Sequence, residues 1–179
     1  MSQRQGGHRR IDRILDPAYT ENLASLDLAE VKRRRDECLA EREYQSLLRR
    51  LVQGRLDIVR AERGRRDAGD DESSLVDNLV AALSSDAPAG SSRGEALRIT
   101  IPPEEMTLAR RRVESLVADT NISDPRSLSD DELRQASERL EDEERAVSSD
   151  RAAVIEVHDR FQDELKRRYK RNPSEALAP

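Results

Sequence analysis

The sequence is poor in aromatic residues, with one Phe (Phe161), three Tyr and no Trp among 179 residues. Rings carry much of the buried area of an ordinary core, so this chain is badly supplied for a broad globular interior. Cysteine is almost absent too. Cys38 stands alone, which excludes an internal disulfide and gives no sign of an oxidising compartment. No apolar run is long enough to span a bilayer, and no signal-peptide core lies near the N-terminus, so a cytoplasmic protein is expected. Excess positive charge is also missing. A net charge of −5 disfavours nonspecific nucleic-acid binding, which needs a basic face to displace counterions.

The residues of common catalytic chemistry are equally scarce. There are two histidines, His8 in a polar N-terminal stretch and His158 near a helical seam, and no Ser/His/Asp or Cys/His arrangement is evident. There is no Gly-rich phosphate loop. The runs Asp130-Asp131-Glu132 and Glu141–Glu144 are better explained as solvated helix faces than as metal or acid–base sites. An enzyme is not expected, and neither is a metal.

What is abundant is charge, 39% of the chain against 35% hydrophobic residues. Such a chain is either largely disordered or built from long helices with narrow apolar seams. Periodicity decides for helices. Val31, Cys38, Val52 and Val59 fall on a seven-residue spacing, with Gln45 taking the middle turn and Leu48, Leu51 and Leu56 beside it. A second set, Leu133, Leu140, Val147, Val154 and Phe161, repeats every seven residues. Sustained heptads specify helices that supercoil.

The two helical arms echo each other 102 positions apart. Sliding Ser25–Arg66 onto Ser127–Arg168 matches Ser25/Ser127, Leu26/Leu128, Glu30/Glu132, Glu41/Glu143, Ser46/Ser148 and Arg49/Arg151. Val52/Val154, Asp57/Asp159, Glu62/Glu164, Arg65/Arg167 and Arg66/Arg168 match as well. Helix starts coincide in the same register: Asp27 with Glu30, and Ser129 with Glu132, read as capping boxes. The expected fold is all-α, an antiparallel two-helix coiled-coil hairpin of duplicated arms with a partly helical, flexible linker.

Boundaries follow from composition. Residues 1–24 form a flexible N-terminal segment; its apolar set Ile11, Ile14, Leu15, Tyr19 and Leu23 either docks on the first long helix or meets a partner. The first arm covers 25–66. Residues 67–126 form a linker with short helices over Ser73–Leu83 and Glu104–Asp119, a flexible run Asp86–Gly94 and an extended piece Leu97–Ile101. The second arm covers 127–172 and is stopped by Pro173, and 173–179 is a flexible tail. Gly54, inside the first arm, costs about 1 kcal/mol of helix propensity against Ala; its missing side chain can admit a ligand or another backbone.

Each arm also carries a polar line. Arg42, Ser46, Arg49, Gln53 and Asp57 follow steps of four, three, four and four, and Glu144, Ser148, Arg151, Ile155 and Asp159 repeat those steps. Residues at these spacings share one side of a helix. If the arms pack together, the arginines need partners. An interarm network of Arg42, Arg49 and Arg151 with Glu144, Asp57 and Asp159 would satisfy them, and so would a solvated face. The third alternative is a ligand. Arginine can bond guanine O6 and N7 or stack on a base, a carboxylate can accept from guanine N1–H and its amine, and Ser, Gln and Arg can hold phosphate oxygens. A dinucleotide with two guanines would give a duplicated line a purpose.

The run EYQSLLRRLVQGRLDIV, preceded by ILDPAY and SLDLAEVKRRRDEC, closely resembles the RsiG family of actinomycete anti-sigma factors. The resemblance covers both arms and implies a helical line Glu-x3-Ser-x2-Arg-x3-Gln-x3-Asp that binds a dimer of cyclic di-GMP, and a protein that, when loaded, sequesters a WhiG-type sigma factor from RNA polymerase. It places ligand contacts on Ser46, Arg49, Gln53 and Asp57 and on Glu144, Ser148, Arg151 and Asp159. Arg42 stands where the motif has glutamate, and Ile155 where it has glutamine; Arg42 can still contact a phosphate, while Ile155 can only pack. The competing expectation is a ligand-free coiled-coil scaffold docking on the transcription machinery.

Overall fold

The computed structural model describes residues 10–68, 101–119, 122 and 124–173. Four helices are present among them: α1 (Arg10–Ile14), α2 (Leu28–Ala68), α3 (Pro103–Asp119) and α4 (Asp130–Arg171), with 3-10 turns at Pro17–Thr20, Leu23–Ser25 and Pro125–Ser127. No strand occurs among the described residues, which are all-α as the heptads predict. The expected helix over Ser73–Leu83, the flexible run Asp86–Gly94 and all but the last residue of the extended piece Leu97–Ile101 lie outside the described residues.

The long helices start where their caps require. Asp27 Oδ1 accepts from the Glu30 backbone N–H at 2.7 Å, satisfying one of the orphan donors of α2. At α4 the box is reciprocal: the Glu132 N–H donates to Ser129 Oγ at 3.3 Å, and the Glu132 carboxylate accepts from the Ser129 N–H at 2.7 Å. These Ser129 bonds hold the Glu132 carboxyl below its usual range. α3 opens on Pro103, which loses nothing at a first helical turn.

The described chain forms two compact units, Met1–Ser46 with Ser148–Pro179, and Leu47–Val147. In the first unit the start of α2 runs antiparallel to the end of α4: Ser46 meets Arg151, and Leu26 meets Arg168. Val31, Cys38, Val154, Phe161 and Leu165 bury the seam, and Ile11, Ile14 and Tyr19 join the same cluster. Tyr19 sits edge-on to Phe161 at 5.6 Å and 76°, with the Arg34 guanidinium 5.1 Å from its ring. Of the two alternatives left open for Ile11–Leu23, docking on the arm is therefore the one realised. The segment expected to be flexible is packed from Arg10 onward, because three large apolar side chains find a seam too narrow to close itself. Burial pushes the Cys38 thiol up to about 12, so it behaves as a small hydrophobe rather than a reactive group.

In the second unit the end of α2 runs antiparallel to the start of α4, with Arg49 meeting Glu144 and Arg66 meeting Asp130. Leu48, Val52, Leu56 and Val59 pack in this unit with Leu133, Leu140 and Val147, all buried, and α3 contributes Ala109, Val113 and Val117. Every position on the seven-residue spacings is buried, including Gln45, whose amide donates to Glu41 Oε1 at 2.7 Å, whereas Leu51, expected beside the seam, is only half-buried.

The two units repeat one set of contacts, 102 residues on. Arg66 donates to the carbonyls of Pro125 and Arg126, and Arg168 to those of Leu23 and Ala24, the equivalent positions. Each arginine is backed by a buried carboxylate four residues earlier, Glu62 at 2.7 Å and Glu164 at 2.8 Å. The Leu23–Ser25 and Pro125–Ser127 turns are equivalent as well. The correspondence extends to the docking helices, where Arg10 binds Glu41 at 2.7 Å and Arg112 binds Glu143 at 2.7 Å. Thus α3 is the counterpart of α1 in the second copy, and the duplicated element begins at Arg10 and Arg112 rather than at Ser25 and Ser127.

Candidate functional site

The polar lines lie beside the apolar seam. At about 100° per residue, Arg42, Ser46, Arg49 and Gln53 fall roughly 80° around α2 from the seam positions Gln45, Val52 and Val59. The same offset holds on α4 for Glu144, Ser148 and Arg151 against Val147, Val154 and Phe161. Glu41 and Glu143, which hold α1 and α3, stand one residue before Arg42 and Glu144. Each docking helix is therefore anchored across the seam from the line. The line residues are half-buried, except Asp159, which is exposed.

In the second unit the line closes between the arms. Arg49 Nε donates to Glu144 Oε1 at 2.8 Å, and Gln53 Nε2 donates to the same oxygen at 3.3 Å. Asp57, one turn further on, is half-buried and makes no ion pair among the described residues. In the first unit the equivalent arginine finds a different partner. Arg151 Nε donates to Ser46 Oγ at 2.9 Å, and Ser46 in turn donates to the Arg42 carbonyl at 2.8 Å. Arg42 turns aside to its neighbour Glu43 at 2.7 Å.

The asymmetry has a direct cause. Arg49 meets Glu144, but by the 102-residue equivalence the counterpart of Glu144 for Arg151 is Arg42, whose guanidinium cannot accept a hydrogen bond. The first unit is therefore left with two guanidinium groups and a hydroxyl where the second has a guanidinium, an amide and a carboxylate. Asp159 lies 3.1 Å from His158 Nδ1 and does not reach the arginines. Ile155 is half-buried, and Ser148 is half-buried in the same line.

Of the interarm network the sequence allows, the Arg49–Glu144 link forms. Arg42 and Arg151 pair elsewhere, and neither Asp57 nor Asp159 joins them. With Arg49 about 42% exposed, that link contributes at most about 1 kcal/mol, so it is not what holds the arms together. Chemically, the lines present guanidinium and amide donors beside carboxylate acceptors, all reachable by solvent. Among the described residues no group of His, Cys, Asp and Glu could hold a metal ion, and no helix is long and apolar enough to cross a membrane. A cleft of about 390 Å³ in the first unit, lined by Ala24, Leu28, Arg168, Arg171 and Asn172, contains none of the line residues.

Sequence reasoning passed over the buried carboxylates. Glu41, Glu62 and Glu164 are each no more than 3% exposed, yet glutamates in a charge-rich chain read as solvent-facing. The signal that could have found them is their survival in the repeat, as Glu41/Glu143 and Glu62/Glu164, with Arg65-Arg66 and Arg167-Arg168 following at the same spacing.

No curated protein matches the chain. Residues 17–83 match a family described as RsiG-like. This stretch contains α2 with its cap and the first polar line, whereas α4 and the second line lie outside it. The chain carries an RsiG-like region from Pro17 to Leu83.

Proposed function

We propose that the chain is an anti-sigma factor that binds cyclic di-GMP against the polar lines of its two arms and, when loaded, sequesters a WhiG-type sigma factor from RNA polymerase. The observation that carries this reading is that the arginine of each line crosses to a motif residue of the other arm, Arg49 to Glu144 and Arg151 to Ser46. A ligand entering there meets groups from both helices at once, so its binding reports on how the arms are paired. Arg49 and Arg151 supply the donors for guanine O6 and N7 or for phosphate, and Asp57 and Asp159 supply acceptors for guanine N1–H and its amine. Gln53, Ser46, Ser148 and Glu144 complete the donor and acceptor set, and Arg42 adds a cation that favours a phosphate in the first unit. Ligand raises affinity for the sigma factor only to the extent that it favours the arm arrangement the partner binds.

Calorimetric titration with cyclic di-GMP, with and without the sigma factor, tests this. Saturable binding above one nucleotide per chain, lost in Arg49→Ala and Asp159→Ala, is the expected result. Heat that develops only with the sigma factor present means that the partner completes the site.

The second reading, a ligand-free coiled-coil scaffold, is favoured by one observation: the Arg49–Glu144 pair already satisfies its own charges. It requires that Arg49, Asp57, Arg151 and Asp159 can all be made apolar without loss of function. Absence of heat in both titrations would select it.

A further inference from the structure

Within the second unit α2 carries another line. Leu47, Leu51, Gly54, Ile58 and Ala61 follow steps of four, three, four and three, so they share one face. At about 100° per residue that face points away from the seam formed by Val52, Leu56 and Val59. Ile58 is exposed, Leu47, Leu51 and Ala61 are half-buried, and a Cβ added at Gly54 would meet nothing within 4 Å.

The duplication supplies the comparison. The positions 102 residues on are Ser149, Ala153, Glu156, Arg160 and Asp163, an ordinary solvated face. Both copies keep the seam, the cap and the terminal arginine clamp, so the fold does not require an apolar outer face. Only the first copy has one.

Its borders indicate the occupant. Arg50 and Arg55 flank the line, both exposed and neither in an ion pair among the described residues. The one carboxylate between Leu47 and Ala61 is Asp57, which belongs to the polar line. Gly54, at the centre, removes the side chain that would hold a second backbone away. The face is about 21 Å long, four turns of helix.

We propose that this face docks an amphipathic α-helix of the sigma factor, whose apolar ridge lies over Leu51, Gly54 and Ile58 and whose flanking carboxylates meet Arg50 and Arg55. The assignment rests on the anti-sigma reading and locates its contact surface. It separates the partner surface from the ligand lines on the same helix, so the two can be broken independently.

The test is calorimetry of the full chain with a WhiG-type sigma factor in the presence of cyclic di-GMP, comparing wild type with Gly54→Gln, Ile58→Arg and the second-arm control Glu156→Gln. Sigma affinity is expected to fall at least ten-fold in Gly54→Gln and Ile58→Arg, with helicity and nucleotide binding unchanged and Glu156→Gln equal to wild type. Full affinity in both variants overturns the surface. A lower melting temperature of the isolated chain in both variants means that the chain's own residues cover the face, which also overturns it. Self-association of the wild type that Ile58→Arg abolishes assigns the face to a second copy, with the same consequence. A wild-type chain that binds no sigma factor overturns the anti-sigma reading and the named occupant with it.

Discussion

Replacing Arg168 by methionine removes more than a surface charge. The guanidinium is about 11% exposed and donates at 2.8 Å to Glu164, at 2.8 Å to the Leu26 carbonyl, and at 3.0 and 3.3 Å to those of Leu23 and Ala24. Methionine keeps most of the stem packing and deletes all four bonds. Three backbone carbonyls lose their cationic donor, and Glu164, only 2% exposed, is left to Arg167 at 3.0 Å and the distant Arg171. Breaking one side of a buried pair costs about 3–5 kcal/mol, and the residual Arg167 contact argues for the lower end. For a chain of this size about 3 kcal/mol lowers the melting temperature by roughly 6–12 °C, read by circular dichroism at 222 nm. The equivalent Arg66→Met is the internal control. Arg66 is about 23% exposed, its carbonyl bonds are longer at 3.1 and 3.3 Å, and its further partner Asp130 is almost fully solvated. Its loss is expected to cost about half as much. Equal shifts in the two variants, or a shift below about 2 °C for Arg168→Met, would refute the claim that these arginines staple the turns preceding the opposite arm.

Asp57→Ala abolishes cyclic di-GMP binding in a calorimetric titration while the helical signal survives, because Asp57 makes no ion pair among the described residues that the fold could miss. Glu144→Gln changes stability by no more than about 1 kcal/mol, since the pair with Arg49 is largely solvated, but weakens nucleotide binding at least ten-fold. Gly54→Ala, in open space within α2, raises the unfolding free energy by about 1 kcal/mol in a urea titration. A hydrogen bond from Arg65, helped by one from Arg66, draws the Glu62 carboxyl from its ordinary 4.5 down to about 2. Its folded-state value is the lower one, so this stabilisation is complete above about pH 4.5 and is lost as pH falls towards 2. The contribution is about 1–3 kcal/mol, and Glu62→Gln should flatten the stability curve across that window.

Periodicity and capping were legible in advance because they are local. Five residues spaced seven apart cannot avoid sharing a helix face, and Asp27 or Ser129 three residues before a glutamate has few better uses than an N-cap. The docking helices were not legible as a pair. Between 10–24 and 112–126 the copies share Arg10/Arg112 but otherwise keep only residue character, as in Ile11/Val113, Asp12/Glu114 and Ile14/Leu116, which identity matching does not see. The heptad spacing places Gln45 in the seam, yet its hydrogen bond to Glu41 depends on a carboxylate that Arg10 fixes from another helix. The partner choice along the polar line was equally out of reach. Whether Arg151 meets a carboxylate or Ser46 depends on which residue of the opposite arm stands across from it, and that follows from the pairing register rather than from either helix alone.

Carrying both copies in one polypeptide has a consequence for how such a site can change. Were the same element used twice by two identical chains, a substitution at one position would appear in both arms at once. Here position 42 can become arginine while 144 stays glutamate, 53 can remain glutamine while 155 becomes isoleucine, and the outer face of one arm can stay greasy while the other turns polar. Each arm is free to specialise without its twin, and the divergent positions are the places to look for what each arm does on its own.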